Sequence, residues 1–203
     1  MELIFRDDSL LVAVKPAGLL AVPGRGEDKQ DCLASRVQAE FPDALIVHRL
    51  DMATSGLMVF ARGAEMQRRL SRLFHDRKVS KRYLALVSGR LSPETGEMEL
   101  PLSPDWPNRP RQKVDHSAGK HSLTRYRVLT YNSANDTSRV ELEPVTGRTH
   151  QLRVHLAASG HPIMGDALYG GMAAPRLMLH ACFLEFAHPR LDKLLAFESA
   201  APF

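Results

Sequence analysis

The residues best suited to chemistry lie between two apolar runs in the stretch "IVHRLDMATSGLMVFA", residues 46–61. His48, Arg49 and Asp51 put three titratable side chains into four positions, which is not typical of a continuous buried strand. The pattern therefore predicts two buried strands joined by a loop that carries the charged cluster. A carboxylate at Asp51, beside Arg49, is expected to stay ionised, and an ionised carboxylate suits a nucleophile.

Asp51 also has a structural interpretation. An aspartate followed by "MATSG" can cap a turn by accepting hydrogen bonds from backbone N–H groups, and Thr54, Ser55 and Gly56 are typical turn residues. A pair of carboxylates, as in glycosidases, is a third interpretation, although no residue is marked as the partner of Asp51. The residues of this stretch alone leave the three interpretations open.

Other reaction classes lack their sequence signatures. The loop "GRG" would need glycine at position 29 to complete GxGxxG, but Lys29 stands there, and no GxxxxGK[ST] occurs. No HExxH is present, and His150 and His155 are separated by about 140° around a helix, so they do not share a face. No GxSxG elbow surrounds a serine. The sequence therefore predicts no metal and no cofactor.

Composition sets the class of protein. The chain has 203 residues, of which 44% are hydrophobic and 25% charged, and this balance is typical of one globular domain. The longest apolar runs are shorter than the roughly 20 residues of a membrane span, and no signal-peptide pattern opens the chain. Cys32 and Cys182 form no CxxC pair, which argues against a disulfide framework or thiolate metal site. We expect a cytoplasmic protein with no membrane partner.

Basic residues are clustered, although the formal net charge is only +4. Clustered cations favour a polyanionic partner, while a solvated charged face is the alternative. One cluster spans residues 62–82 and the other residues 109–120. Their members are Arg62, Arg68, Arg69, Arg72, Arg77, Lys78, Lys81 and Arg82, and Arg109, Arg111, Lys113 and Lys120.

Hydrophobic periodicity predicts several strands and few helices. Helices are expected over residues 31–40 with Asp31 as N-cap, over residues 63–77, and over residues 147–162 with Thr149 as N-cap. Strands are expected over residues 3–14, 82–89, 123–131, 138–145, 176–189 and 193–200, and the proline-rich residues 91–122 should form short strands and loops. We expect a single α+β domain on a mixed, largely antiparallel sheet with flanking helices and a central active-site cleft.

Several segments resemble one known family. "HRLDMATSGLMVFA" is similar to the signature of the RluA-type pseudouridine synthases, which carry H-R-L-D followed by T-S-G-L. The segments "VAVKPAGLLAVPG", "KRYLALVSG", "TGRTHQLRVHLAASGHPIMGD" and "RLMLHA" resemble the other motifs, in the order of the family, and together they cover nearly the whole chain. The resemblance implies an isomerase that turns uridine into pseudouridine in RNA, with no metal or cofactor.

The resemblance also implies roles for single residues. Asp51 occupies the position of the catalytic aspartate, and Tyr83 that of the tyrosine that stacks against the target base. Arg153 matches the basic residue that pairs with the aspartate. Arg49 matches the arginine that enters the RNA stack where the uridine leaves it. A uridine must be flipped out of its stack before the base can turn, so these residues are expected to act on a flipped base.

The expected RNA contacts lie outside this set. Many relatives carry an N-terminal S4-type RNA-binding domain, but here the first motif begins within the first fifteen residues. We therefore expect one catalytic domain over residues 1–203 without that module. RNA would then lie on the basic residues 62–82 and on the loop "DWPNRPRQKV", residues 105–114, through Arg109, Arg111 and Lys113.

The same loop resembles that of a dual-specificity member of the family. This implies large-subunit ribosomal RNA and the anticodon stem-loop of certain tRNAs as targets. We also expect a monomer with no obligatory protein partner. Two alternatives remain: a non-catalytic RNA-binding protein or RNA chaperone, and a carboxylate-dependent glycosidase or nucleosidase. These predict unchanged RNA and an abasic product, respectively.

Overall fold

The computed structural model describes residues 1–203, except for the side chain of Asp28, and over these residues the chain forms twelve strands and three α-helices. The chain divides into two compact units. Unit 1 comprises Met1–Lys81 and Ala181–Pro202, and unit 2 comprises Arg82–His180 with Phe203. None of the three described helices is both long and apolar enough to cross a membrane.

Unit 1 is a sheet covered by helices. Its strand order is β1-β2-β4-β11, with β3 paired to β4 and β12 paired to β11. The pairs β1–β2, β2–β4, β3–β4 and β11–β12 are antiparallel. The elements are β1 (Glu2–Arg6), β2 (Leu10–Lys15), α1 (Leu33–Glu40), β3 (Ala44–Ile46), β4 (Ser55–Arg62), α2 (Gly63–His75), most of β11 (Leu179–Ala187), and β12 (Leu194–Glu198).

The core of unit 1 lies between α2 and the sheet. Met66 and Leu70 of α2 are fully buried against β4, β11 and β12, and Leu73 and Phe74 pack at the edge of the same cluster. This is the apolar face that the spacing of the sequence predicts, with the arginines on the remaining surface. The predicted helix over this stretch is confirmed.

Unit 2 is a second antiparallel sheet with one helix. Its strand order is β5-β10-β9-β6, and β7 and β8 form a separate two-stranded ribbon. The elements are most of β5 (Ser80–Ser88), β6 (Thr95–Glu99), β7 (Leu102–Pro104), β8 (Gln112–Val114), β9 (Leu123–Asn132), β10 (Thr137–Pro144) and α3 (Gln151–Ala158). The predicted α+β class, largely antiparallel with flanking helices, is confirmed. One catalytic domain over residues 1–203 stays a prediction.

The predicted N-cap of α1 is wrong by one residue. Cys32 is the N-cap, because its Sγ accepts a hydrogen bond from the Ser35 N–H, and the Ser35 hydroxyl accepts one from the Cys32 N–H. Asp31 forms an exposed ion pair with Arg36 at 2.7 Å instead. A cysteine and a serine together make a capping box here, which simple cap preferences do not anticipate.

The predicted N-cap of α3 is also wrong. The helix begins after His150, whose φ of 55° lies in the left-handed region, and not after Thr149. The side-chain carbonyl of Gln151 accepts hydrogen bonds from the Arg148 N–H at 3.0 Å and the Thr146 hydroxyl at 2.7 Å. The chain therefore enters α3 through a sharp turn that a glutamine organises from inside the helix.

Candidate active site and RNA interface

Asp51 lies in unit 1, in the loop of residues 47–54 between β3 and β4. Its side chain is half-buried, while Arg49 is exposed. The backbone carbonyl of Asp51 accepts a hydrogen bond of 3.1 Å from the Thr54 N–H, which closes the turn. The prediction of a charged loop between two strands is confirmed.

A buried ammonium holds the backbone next to Asp51. Lys15 is fully buried at the end of β2, and its Nζ donates to the carbonyl oxygens of Pro16, Leu19 and Met52 at 2.9, 2.7 and 2.9 Å. The Gly18 N–H also donates to the Met52 carbonyl, at 2.9 Å. Burying a charge is costly unless it is hydrogen-bonded, so these contacts bind the residue after Asp51 strongly to β2. Sequence reasoning assigned no role to this lysine.

His48 anchors the N-terminal part of the same loop. Its Nε2 accepts a 2.9 Å hydrogen bond from the Val59 N–H of β4, and its ring stacks on Phe74 of α2 at 4.3 Å. Burial, with a smaller contribution from the charge of Lys81, lowers the pKa of His48 to about 3. The ring is therefore neutral at pH 7 with its proton on Nδ1, and serves as an acceptor for the strand backbone.

The backbone at residue 56 requires the glycine of "TSGL". Its φ is +122°, and a Cβ at this position would overlap the backbone of Ala181 on β11. Only glycine combines this backbone conformation with so close an approach of two chains. The loop that carries Asp51 therefore ends at a point where the sheet accepts no side chain.

Tyr83 and Arg153 lie in unit 2. Tyr83 is half-buried on β5, where it lies opposite Leu142 of β10. Arg153 is buried in α3, with 5% of its surface exposed. A pairing of Arg153 with Asp51 would join the two units, and it stays a prediction.

Arg153 forms a buried, two-pronged ion pair that sequence reasoning missed. Its Nε and Nη2 donate to Oδ2 and Oδ1 of Asp166, each at 2.7 Å. Asp166 is also held by the backbone, because Oδ1 accepts from the N–H groups of Leu168 and Tyr169 at 3.0 and 3.3 Å. Such bidentate geometry fixes the plane of the guanidinium. The signal in the sequence is the acid after glycine in "HPIMGD", thirteen residues after Arg153.

Gly165 brings Asp166 into place. Its φ is +76°, and a Cβ there would overlap the carbonyl of Arg176. The Gly165 N–H donates to the Met172 carbonyl at 2.7 Å. Residues 163–178 thus form a closed loop that presents Asp166 to α3.

Tyr169 was missed as well, and it joins Arg153 to the predicted RNA loop. Its ring centre lies 5.1 Å from the Arg153 guanidinium and 5.4 Å from that of Arg111. Its hydroxyl accepts from the Gln112 N–H at 2.8 Å and lies 2.7 Å from Nδ1 of His150. One aromatic side chain thus contacts both the catalytic candidate and the loop.

Residues 105–114, here called the recognition loop, comprise the connection from β7 to β8 and β8 itself. Hydrogen bonds of 3.0 Å run from the Asp105 N–H to the Arg111 carbonyl and from the Arg111 N–H to the Asn108 carbonyl. Arg109, Arg111 and Lys113 are exposed, as expected of residues that contact RNA.

Asp115 fixes the chain just beyond the recognition loop. The hydroxyl of Ser117, the N–H of Ala118 and the hydroxyl of Ser103 all donate to its carboxylate, at 2.8 to 3.0 Å. These donors hold the pKa of Asp115 far below its usual value, with the Ser117 hydroxyl contributing most.

Within the described residues, no group of three or more His, Cys, Asp or Glu side chains is placed to hold a metal ion.

Residues 9–158 match the model of a family described as RNA pseudouridylate synthase. The chain belongs to that family. It is 47% identical over 207 residues to the dual-specificity RNA pseudouridine synthase RluA of Escherichia coli (strain K12), a match that covers 100% of this chain and 94% of the relative. It is 45% identical to the RluA of Yersinia pestis, with 100% of both chains covered.

Solved structures agree with this membership. The structure named Human RNA Pseudouridylate Synthase Domain Containing 1 matches with a TM-score of 0.83 and 31% identity, over 100% of this chain and 84% of that chain. The predicted RluA-type family is confirmed. This RNA pseudouridine synthase is therefore an isomerase that acts on uridine in RNA, and the alternative of a non-catalytic RNA-binding protein is disfavoured.

Proposed function

We propose that Asp51 is the nucleophile of the synthase, that Tyr83 stacks on the flipped uracil, and that Arg153 stabilises the ionised aspartate. Arg49 fills the place that the uridine leaves in the RNA stack. The observation that carries this proposal is the restraint of the Asp51 loop by Lys15. A nucleophile needs a fixed approach to its target atom, and a loop bound at a buried ammonium provides it.

The reaction itself needs few groups. The bond between N1 of uracil and C1′ of the ribose breaks, the base turns, and C5 bonds to C1′. C5 loses its proton and N1 gains one, so no electrons are gained or lost overall. Asp51 attacks either C1′ or C6 in this scheme, and a glycal route with an eliminated ribose proton is the third possibility. In each route the carboxylate must be ionised at the start.

The buried pair with Asp166 supports the role of Arg153. A guanidinium held at two nitrogens keeps its orientation, and a preoriented positive charge stabilises negative charge without reorganising during the reaction. We infer that Asp166 positions Arg153 and does not itself touch the substrate.

We propose large-subunit ribosomal RNA and tRNA anticodon stem-loops as the substrates. The support is the name of the relatives, dual-specificity RNA pseudouridine synthase, together with the exposed Arg109, Arg111 and Lys113. The protein would act as a monomeric catalytic domain over residues 1–203, without an obligatory protein partner, in the cytoplasm where these RNAs occur.

One experiment tests the activity and both alternatives. The protein is incubated with a tRNA anticodon stem-loop and with a ribosomal RNA fragment. The RNA is then digested, and the nucleosides are separated by chromatography and detected by mass spectrometry. We expect pseudouridine in both RNAs. Since pseudouridine has the mass of uridine, retention time identifies it. Unchanged nucleosides would support the RNA chaperone, and free uracil with an abasic site would support the nucleosidase.

A further inference from the structure

The recognition loop carries the single tryptophan of the chain, Trp106, on its surface. Trp106 is 67% exposed and begins a short 3-10 turn that ends at Asn108. A tryptophan is usually well buried, because its ring is large and apolar. An exposed one on a loop with three exposed cations is therefore a candidate surface for a ligand to cover.

Trp106 forms one wall of a small pocket. The pocket has a volume of about 230 Å³, and Pro104, Pro110, Arg111 and Thr149 are among its other lining residues. This volume is below the roughly 300–1,000 Å³ of sites for drug-sized ligands, so it suits one flat ring system. The two prolines are rigid and apolar, which favours a planar, partly apolar guest.

Positive charge surrounds this pocket. The Arg109 guanidinium lies 4.7 Å from the centre of the Trp106 ring, and Arg111 lines the pocket from within the same loop. Nucleotides combine a stackable base with an anionic phosphate, and both features are matched here. A neutral apolar ligand would offer no negative charge to the two guanidinium groups.

The pocket is also preorganised. The Tyr169 hydroxyl accepts from the Gln112 N–H, and the Tyr169 ring lies against Arg111, so the wall of the pocket is attached to residues outside the loop. A loop that is ordered before binding loses less entropy when the ligand arrives.

We propose that this pocket receives an unpaired nucleobase of the RNA substrate, stacked on Trp106, with its phosphate at Arg109 or Arg111. The base is a second one, distinct from the uridine that reacts at Asp51. It must be unpaired, because a paired base in an A-form helix presents no free face to a protein ring. The proposal deepens the proposed function and rests on RNA being the substrate.

The fluorescence of Trp106 tests this directly, since no other tryptophan contributes. The full-length protein is titrated with a tRNA anticodon stem-loop, and binding is followed separately by the anisotropy of a dye on the RNA. We expect the stem-loop to quench the tryptophan emission. The quenching should disappear when one particular unpaired nucleotide is made abasic. A fully paired duplex of equal length should bind without quenching. Stem-loop binding without any change in emission would overturn the proposal.

Two variants supply a kinetic test. Trp106→Ala should raise KM for the stem-loop about tenfold or more, with a smaller effect on kcat, because a stacked base contributes to binding. Trp106→Phe retains a ring and should recover most of the loss. Leu194→Ala, at a 64% exposed position in unit 1, is the control and should match the wild type.

The kinetic outcomes separate the two proposals. If Trp106→Ala makes pseudouridine with the KM of the wild type, the proposal that the pocket binds a base is wrong, and the proposed function stands. If the wild-type protein makes no pseudouridine, the proposed function fails, and the fluorescence titration still decides whether Trp106 contacts an unpaired base.

Discussion

The loop around Asp51 and the recognition loop are built in opposite ways. Residues 47–54 are held by the fully buried Lys15 and by the neutral ring of His48, which stacks on Phe74. Residues 105–114 leave Trp106, Arg109 and Arg111 exposed and are attached to the rest of unit 2 at Tyr169. A reacting group needs a fixed position and a protected environment, whereas a surface that finds RNA must offer accessible rings and charges.

The two regions should therefore respond differently to mutation. Removing Lys15 or His48, which hold the Asp51 loop, or Asp166, which holds the buried Arg153, should lower the free energy of unfolding. Changes in the recognition loop should alter RNA affinity and leave stability nearly intact. The predictions that follow start with the change that should have the largest effect.

Asp166→Ala should cause the largest loss of stability. It removes the carboxylate that binds the buried Arg153 guanidinium at two nitrogens, and breaking a buried pair costs about 3–5 kcal/mol. Urea unfolding measures the loss. Asp31→Ala breaks the exposed pair with Arg36 and is the matched control, expected to cost much less because solvent screens that pair. Equal losses in the two variants would refute the distinction between buried anchors and surface pairs.

Lys15→Met should come next. The side chain keeps its length but no longer donates to three carbonyl groups, one of them that of Met52, and we expect a loss of about 2–4 kcal/mol. The turnover of the folded variant should fall more than its RNA affinity, because the Asp51 backbone loses its restraint. Lys193→Met, at an exposed lysine, is the control. A variant with wild-type stability and turnover would show that this ammonium does not hold the loop.

His48 should make the protein sensitive to acid. Its pKa is about 3 in the folded chain and about 6.5 when unfolded, so the unfolded chain binds more protons between these values. The stabilisation is therefore complete above pH 6.5 and is lost as pH falls, at up to about 1.4 kcal/mol per pH unit. In His48→Gln this part of the slope between pH 6 and 4 should vanish, as urea unfolding at several pH values would show. His116→Gln is the exposed control, and an unchanged slope in His48→Gln would contradict the assignment.

Tyr169→Phe should have the smallest effect on stability, about 1 kcal/mol, because it removes one hydroxyl and keeps the ring between two guanidinium groups. The recognition loop loses its anchor at Gln112, so KM for the stem-loop should rise about fivefold with kcat little changed. Tyr131→Phe removes an exposed hydroxyl bonded to Asp136 and should leave both constants unchanged. A fall in kcat alone would place Tyr169 with Arg153 and not with the loop.

Local patterns predicted much of this fold. The spacing of Met66 and Leu70 predicted the buried face of α2, and the charged cluster in "HRLD" predicted the loop between β3 and β4. Those features depend on residues close in sequence. The anchors depend on distant ones, because Lys15 reaches Met52 across 37 positions and Tyr169 reaches Gln112 across 57. No periodicity marks such pairs.

The helix starts show the same limit at short range. The caps of α1 and α3 depend on which of several polar residues wins a local competition for backbone N–H groups. Cys32 took the place predicted for Asp31, which is engaged by Arg36. Asp166 was within a recognised motif, yet its role became visible only through its contact with Arg153.

The central claim is that Asp51 carries the chemistry on a loop fixed for that purpose. The most direct measurement is tritium release from RNA labelled at C5 of uridine, with Asp51→Asn compared with the wild type at equal RNA occupancy. We predict a loss of at least about a thousandfold in rate, with RNA affinity within a few-fold of the wild type, because the amide has nearly the shape of the carboxylate but is not nucleophilic. Undiminished release from Asp51→Asn would contradict the account.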